Sequence, residues 1–225
     1  MENLTTVLDF GYLRLVDHMG TDLSIVRAAR VSYNAEARAG LNESGDRKLI
    51  NYLMKNNHST PFESATVTFE VCCPIFVARQ WHRHRTQSYN EVSARYTDLP
   101  NMAYLPFAGH IGQQSVNNKQ QRNNEPNPNE EEILRITATL QNQSFEAYKK
   151  LQDLGCPREL ARIVLTCGTY TRFFTTMNLL NAYKFCKLRA HSHSQYEIRV
   201  YAEAMLEFLN ILYPVSTDAF LKNDF

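Results

Sequence analysis

The chain has 225 residues, 24 of them Lys or Arg and 23 Asp or Glu, a net charge of +1 with His neutral. That length holds one domain or a closely fused pair with an ample core, and hydrophobic and charged shares of 44% and 21% exclude wholesale disorder. The near-neutral balance counts against a protein that coats nucleic acid through bulk electrostatics. Apolar runs are interrupted by charges within a few residues, so no membrane span is expected. The N-terminal MENLTTVLDFG, with Glu2, lacks the basic-then-apolar layout of a signal peptide. Five cysteines (Cys72, Cys73, Cys156, Cys167, Cys186) form no CxxC pair and no spaced framework, and a reduced, cytoplasmic compartment is the simplest reading.

In chain order, residues 6–15 carry apolar side chains near period two and predict a short hairpin with Gly11 in its turn. Residues 22–32 place Leu23, Val26, Arg27 and Arg30 at helical spacing. Residues 44–57 form a second helix, with Ser44 as N-cap and Leu49, Ile50, Leu53 and Met54 as its stripe. Residues 65–72 alternate Val67, Phe69 and Val71 against Thr66, Thr68 and Glu70, the pattern of a half-buried strand. Cys72 and Cys73 close that strand and are expected in the core. Pro74 then suits the first position of a helix that runs toward Arg85.

Ten of the seventeen residues from 113 to 129 are Asn or Gln, and Pro126 and Pro128 close the stretch. Such a segment buries little apolar surface and predicts a flexible loop over about 108–129. Asn127-Pro128-Asn129-Glu130 reads as cap, first-turn Pro and capping-box Glu. The following stripe of Ile133, Ile136, Leu140, Ala147, Leu151 and Leu154 ends at Gly155, a helix of about 40 Å at 1.5 Å per residue. A shorter helix over 157–165, a β-rich segment over 170–177 and an amphipathic helix over 196–212 complete the chain. The expected class is α+β: a mixed, largely antiparallel sheet flanked by helices, with a helical C-terminal portion and all 225 residues in one domain.

Chemistry concentrates in residues 79–96, RQWHRHRTQSYNEVSARY, where four arginines and two histidines face the single acid Glu91. A solvated basic face is normally built from Lys with Glu interleaved. Here Lys is absent, and the planar guanidinium grips phosphate or carboxylate in bidentate fashion. An anion site is therefore expected. A helix continuing to Arg85 places Arg79 and Arg83 on one face and Arg85 nearly opposite, so that the two ends of Arg83-His84-Arg85 serve different anions or different subunits. If residues 88–96 are extended, Tyr89, Glu91, Ser93 and Arg95 share one side and offer a second oxyanion site.

Arg83-His84-Arg85-Thr86-Gln87-Ser88-Tyr89-Asn90-Glu91-Val92-Ser93-Ala94-Arg95 resembles the signature RHRxxSxNExSxR of the flavin-dependent thymidylate synthases, with eight spaced identities in thirteen residues. The resemblance extends to DLSIVRAARVSY, HSTPFE, PIFVARQW, PRELARIVL, YTRFF and LRAHSHSQYE, which is nearly the whole chain apart from the Asn/Gln-rich loop. It implies reductive methylation of dUMP to dTMP, in which FAD delivers hydride, methylenetetrahydrofolate supplies the carbon and NADPH reloads the flavin. No protein nucleophile adds to the ring in that family, so the protein has to orient anionic ligands and stabilise charge on the pyrimidine.

Carried over by position, the resemblance assigns Gln80, Arg83, Glu91, Ser93, Arg95, Arg162 and Arg189 to dUMP. Arg189 takes the catalytic role of favouring the ionised uracil ring, which suits a permanently charged group. Thr60, Arg83, His84, Arg85, Glu91, Asn178 and His193 resemble FAD contacts, and His58 lies near the folate or nicotinamide. Leu180 and Lys184 depart from the family pattern at two flavin-contacting positions, so the adenine or phosphate end of the cofactor is expected to be held differently. The resemblance further implies a homotetramer with flavin sites between subunits, and no nucleic-acid or membrane partner.

Other readings are weaker on the residues themselves. Ser88 has no adjacent base and reads as a positioning hydroxyl rather than a nucleophile. His191 and His193 lack further ligands for a metal. The interleaved Arg, His and Tyr of residues 83–96 would also suit a phosphate-tracking groove for single-stranded nucleic acid, although the +1 charge and the missing Lys oppose it. A flavoprotein of the same fold with a different acceptor is the third alternative, opened by Leu180 and Lys184.

Overall fold

The structure is a computed structural model that describes residues 3–223. In chain order it contains β1 (Leu4–Val7), β2 (Gly11–Met19), α1 (Asp22–Val31), α2 (Glu43–Lys55), β3 (Thr66–Pro74), α3 (Ile75–Trp81), β4 (Ser88–Glu91), α4 (Glu130–Asp153), α5 (Arg158–Ala161), β5 (Tyr170–Asn178), α6 (Leu179–Arg189), α7 (Tyr196–Leu212) and α8 (Pro214–Asn223). Short 3₁₀ turns lie at Glu36–Arg38, Thr60–Ser64 and Arg162–Val164. The five strands form one antiparallel sheet in the order β1-β2-β3-β5-β4. The class is α+β, as the sequence indicates, with the helices gathered toward the C-terminus.

One face of the sheet is the core. Leu13, Val67, Phe69, Val71, Phe173 and Met177 point inward from β2, β3 and β5 and pack with α1, α2, α6, α7 and α8. Trp81, at the end of α3, lies fully buried with ring centroids 4.4 Å from Phe185, 5.6 Å from Phe173 and 6.1 Å from Tyr201. The opposite face is polar and only partly covered. Across it Arg14, Glu70 and Phe174 stand side by side in register, and Arg172, Phe174 and Thr176 of β5 are exposed. Glu70, buried on this face, accepts from Arg14 Nε at 2.6 Å and lies 3.5 Å from Arg172 Nε. The Glu70 side chain, set between two guanidiniums, holds β2, β3 and β5 in register.

Several element boundaries differ from the sequence reading. Gly11 opens β2 instead of forming the turn, which falls on 8–10 with Leu8 at φ 59°. A Cβ at Gly11 would lie 2.1 Å from Tyr201 Oη and 2.6 Å from the Val7 carbonyl, so the hairpin needs glycine for close approach to α7. Asn42, not Ser44, caps α2, its Oδ1 accepting from Gly45 N at 3.0 Å. Pro74 ends β3, and α3 begins one residue later. Asn129 precedes α4, while Asn127 accepts from Asn129 N at 3.0 Å as a turn before the helix. Cys73 joins the core, whereas Cys72 faces the other way into a small cluster with Tyr104 and Tyr170.

The long helix α4 has Tyr148 as its one buried residue; Ile136 and Leu140 of the expected stripe are 46% and 56% exposed. Its amphipathic pattern therefore has little to cover within the chain. The 108–129 segment is folded on itself by an isolated bridge between Gln114 and Arg122, and Arg122 ties it to the body, its Nη1 2.8 Å from Glu197 Oε1.

Candidate active site

Helix α3 stops at Trp81, four residues short of the expected Arg85, and a tight turn returns the chain into β4. The buried Gln87 and the half-buried Tyr89 fix that turn. Tyr89 Oη lies 2.8 Å from the His84 carbonyl and 3.1 Å from that of Trp81. Gln87 Oε1 accepts from Trp81 Nε1 at 3.1 Å and from Thr175 Oγ1 at 2.9 Å. Carbonyls that would continue a helix are thus claimed by side chains, and the backbone cannot propagate. Burial pushes the Tyr89 hydroxyl up to about 12, so it remains a proton donor at neutral pH.

Because of this turn, Arg79 and Arg83 do not share a helical face. Arg83 and Arg85 are both exposed, and among the described residues neither forms an ion pair. His84 turns inward instead, its ring centroid 4.9 Å from that of Phe185.

There it meets the last residue of α6. Arg189 Nε donates to His84 Nε2 at 3.0 Å, and Arg189 Nη2 donates to the Gln80 carbonyl at 3.1 Å. Gln80 Nε2 in turn donates to Gln195 Oε1 at 2.6 Å. An acceptor at Nε2 requires neutral imidazole with its proton on Nδ1. Burial, and then the charge of Arg189, pull the His84 pKa down to about 4. Burial also lowers the pKa of Arg189, which stays charged nonetheless. The result is a fixed, half-buried guanidinium beside a histidine that adds no competing charge.

Other candidate residues lie in separate groups. Glu91 of β4 accepts from Thr171 Oγ1 at 2.5 Å and borders a shallow cleft with Glu70, Asn90 and Arg172. After Glu91 the chain leaves the sheet, and Tyr96 N bonds the Ser93 carbonyl at 2.9 Å. Tyr89, Glu91, Ser93 and Arg95 therefore do not line one side of a continuous strand. Arg95 stands over the Tyr96 ring and shares a cleft with Glu159, whose carbonyl accepts from Arg162 Nε at 3.2 Å.

Asn178 sits at the opposite end of α6, about 16 Å from Arg189 at 1.5 Å per residue, and Thr60 opens the 3₁₀ turn that packs against that helix. Asn178 caps that helix, its Oδ1 accepting from Asn181 N at 2.9 Å. His58, exposed, packs its ring against Tyr52 at 5.6 Å. His193 is exposed in the turn before α7, with its ring 4.8 Å from His191. Leu180 is 4% exposed within the core, and Lys184 is exposed one turn on.

Among the described residues no hydrogen bond or ion pair joins the Gln80–His84–Arg189 cluster to Arg95 and Arg162, or either group to Thr60 and Asn178. Sequence reasoning missed Gln87, Tyr89, Gln195 and Glu197 as parts of this framework. The only available signal for Gln195 and Glu197 was their place in LRAHSHSQYE, because their partners lie about a hundred residues away in sequence.

Residues 14–215 match the family model described as thymidylate synthase complementing protein. Flavin-dependent thymidylate synthases from Rickettsia conorii and Thermotoga neapolitana are 45% and 44% identical to this chain. They align with 95% and 96% of it, and with 76% and 93% of their own lengths. The chain belongs to the flavin-dependent thymidylate synthases. Membership makes it an enzyme, a methyltransferase of thymidylate synthesis. Among solved structures, a UMP/dUMP methylase PolB from Streptomyces cacaoi bound with 5-Br dUMP superposes with a TM-score of 0.88 at 34% identity, over 96% of both chains.

For a flavin-dependent thymidylate synthase the flavin's anionic phosphates call for cations not already spent on carboxylates. Arg83 and Arg85 meet that requirement, since they project from a pinned turn and, among the described residues, no acid is paired to them. The residues present therefore fit the cofactor. Leu180 adds no polar group to it, because its side chain lies in the core.

Proposed function

We propose that this chain converts dUMP to dTMP with methylenetetrahydrofolate as carbon donor, FAD as hydride carrier and NADPH as reductant. The observation that carries the reading is the Arg189–His84–Gln80 cluster, built on the turn that contains the family signature. Gln80, Arg83, Glu91, Ser93, Arg95, Arg162 and Arg189 hold dUMP. Thr60, Arg83, His84, Arg85, Glu91, Asn178 and His193 hold FAD, and His58 borders the folate or nicotinamide.

When bound, FAD supplies the hydride that completes reduction of the new methyl group. The chain's own residues orient and stabilise. Arg189 presents its remaining N–H groups to the pyrimidine and stabilises negative charge as it develops there. His84, neutral at Nε2, fixes the direction of that guanidinium without weakening its field. Gln80 fixes it from the other side through its main-chain carbonyl. Arg83 and Arg85 neutralise phosphate groups.

A homotetramer accounts for the scattered positions of the candidate residues. In a shared site, Arg95 and Arg162 of one subunit complete the nucleotide pocket begun by Gln80 and Arg189 of another. The exposed Ile136 and Leu140 on α4, and the open sheet face around Phe174 at 40% exposure, support such contacts. The stretch 108–129 is the proposed flexible element beside the site, and the cytoplasm the proposed location.

The direct test of cofactor use is the visible absorption spectrum of dialysed protein before and after addition of FAD, with light scattering on the same sample. A retained or saturable flavin spectrum on a tetramer is expected. Colourless protein that ignores FAD would remove the cofactor assignment, and an active monomer would remove the shared-site assignment.

A further inference from the structure

Behind the Gln80–Arg189 cluster lies a carboxylate that the reaction as proposed does not use. Glu197, at the start of α7, is 1% exposed. Its Oε1 accepts from Arg122 Nη1 at 2.8 Å and from Tyr104 Oη at 3.0 Å, and its Oε2 accepts from Gln195 Nε2 at 2.9 Å. Burial alone would raise this carboxyl, but Arg122, with Gln195, more than offsets that and holds it below the usual range. Glu197 is therefore ionised at neutral pH and acts only as an acceptor.

That restriction travels outward. A carboxylate that only accepts forces Gln195 to turn its NH₂ toward Glu197 and its carbonyl oxygen away. The oxygen then takes Nε2 of Gln80 at 2.6 Å, and Oε1 of Gln80, which has no hydrogen bond among the described residues, is left for a ligand. Two amides that could otherwise flip are thus set in one direction by one charge. The same carboxylate is one anchor of the Asn/Gln-rich loop: among the described residues Arg122 makes the loop's ion pair to the body, and the neighbouring Gln121 Nε2 donates to the Ser192 carbonyl at 3.2 Å.

We infer that Glu197 is a positioning residue for the nucleotide site: it sets the polarity of the Gln195–Gln80 amide pair and ties that setting to the docked state of the loop through Arg122. This inference rests on the assignment of Gln80 to dUMP. Glu197→Gln keeps the shape of the side chain but can donate as well as accept, so Gln195 and Gln80 lose their fixed direction. Arg122→Gln removes the loop's ion pair and leaves the Glu197 side chain in place against Gln195.

The test is calorimetric titration of dUMP into FAD-loaded wild type, Glu197→Gln, Gln80→Ala and the double variant, with thermal melting as a check on folding. Glu197→Gln is expected to weaken dUMP about tenfold, the scale of one misdirected hydrogen bond. On the Gln80→Ala background the same change is expected to have no further effect, because its influence passes through Gln80. Arg122→Gln is expected to weaken dUMP less than Glu197→Gln. Equal losses from Glu197→Gln on both backgrounds would overturn the relay, as would unchanged affinity in a folded single variant. If Glu197→Gln fails to fold, Gln195→Ala carries the same test, with the same loss and the same dependence on Gln80 expected. Wild type that binds FAD but not dUMP would overturn both this inference and the nucleotide assignment, whereas tight wild-type binding indifferent to Glu197 overturns the inference alone.

Discussion

Acidification tests the environment of His84, because burial and the charge of Arg189 pull its pKa from 6.5 to about 4 in the folded state. Between those values the unfolded chain binds a proton at this position and the folded chain does not. The contribution is therefore fully present above about pH 6.5, falls as pH drops through that window, and levels off below about 4. Linkage over this shift gives a loss of about 2 kcal/mol at pH 5. His84 is only half-buried, so solvent screening reduces the expected loss to about 1–2 kcal/mol. The comparison variant is His84→Gln, which keeps an acceptor for Arg189 Nε but does not titrate. Urea unfolding at pH 7 and pH 5 is expected to show a stability drop that is smaller in the variant by that amount. Identical pH dependence in the two proteins would refute a neutral, buried acceptor at His84, and with it the account of how Arg189 is aimed.

Arg189→Ala is expected to lower kcat/KM for dTMP formation at least a hundredfold, with the circular dichroism spectrum unchanged; near-normal turnover would remove Arg189 from catalysis. Ser88→Ala is expected to retain measurable activity, because the hydroxyl sits exposed on β4 with no base hydrogen-bonded to it. Complete loss with intact flavin and dUMP binding would point to a nucleophile instead. Gly11→Ala is expected to destabilise the fold by about 1–3 kcal/mol through overpacking. Tyr201→Phe should rescue it only in part, because the Val7 carbonyl remains 2.6 Å from the new methyl and the Tyr201 bond to the Cys72 carbonyl at 2.7 Å is lost. Additive chemical denaturation energies for these two changes would contradict the predicted clash.

What the sequence made legible depended on the range of the interactions. The β3 alternation, the β5 segment and the α7 stripe appear where expected because period and burial agree locally. The end of α3 was not legible, since it depends on Tyr89 and Gln87 reaching back from β4 to capture groups at Trp81 and His84. α6 escaped because six of its first eight residues are buried, all but Asn181 and Lys184, so no narrow stripe stands out. α8 is fastened at its start by Asp22 from α1, which accepts from Val215 N at 2.9 Å and from Ser216 N at 3.0 Å, a contact across 193 residues or more. At the site, the motif pointed to His84 and the matching segments around it to Gln80 and Arg189, but their shared hydrogen bonds needed the fold. The separation of Arg95 and Arg162 from that cluster was likewise invisible, because proximity in the motif does not specify which surface each side chain reaches.

The central claim is that this chain methylates dUMP with a flavin in the path of the hydride. Its most direct test is incubation of the purified protein with dUMP, methylenetetrahydrofolate, NADPH and FAD, with dTMP measured by chromatography and FAD or NADPH withheld in turn. dTMP is expected in the complete mixture, and none when NADPH is absent or when flavin-stripped protein receives no FAD. Absence of dTMP from protein that binds both FAD and dUMP, or undiminished dTMP without flavin, would contradict it.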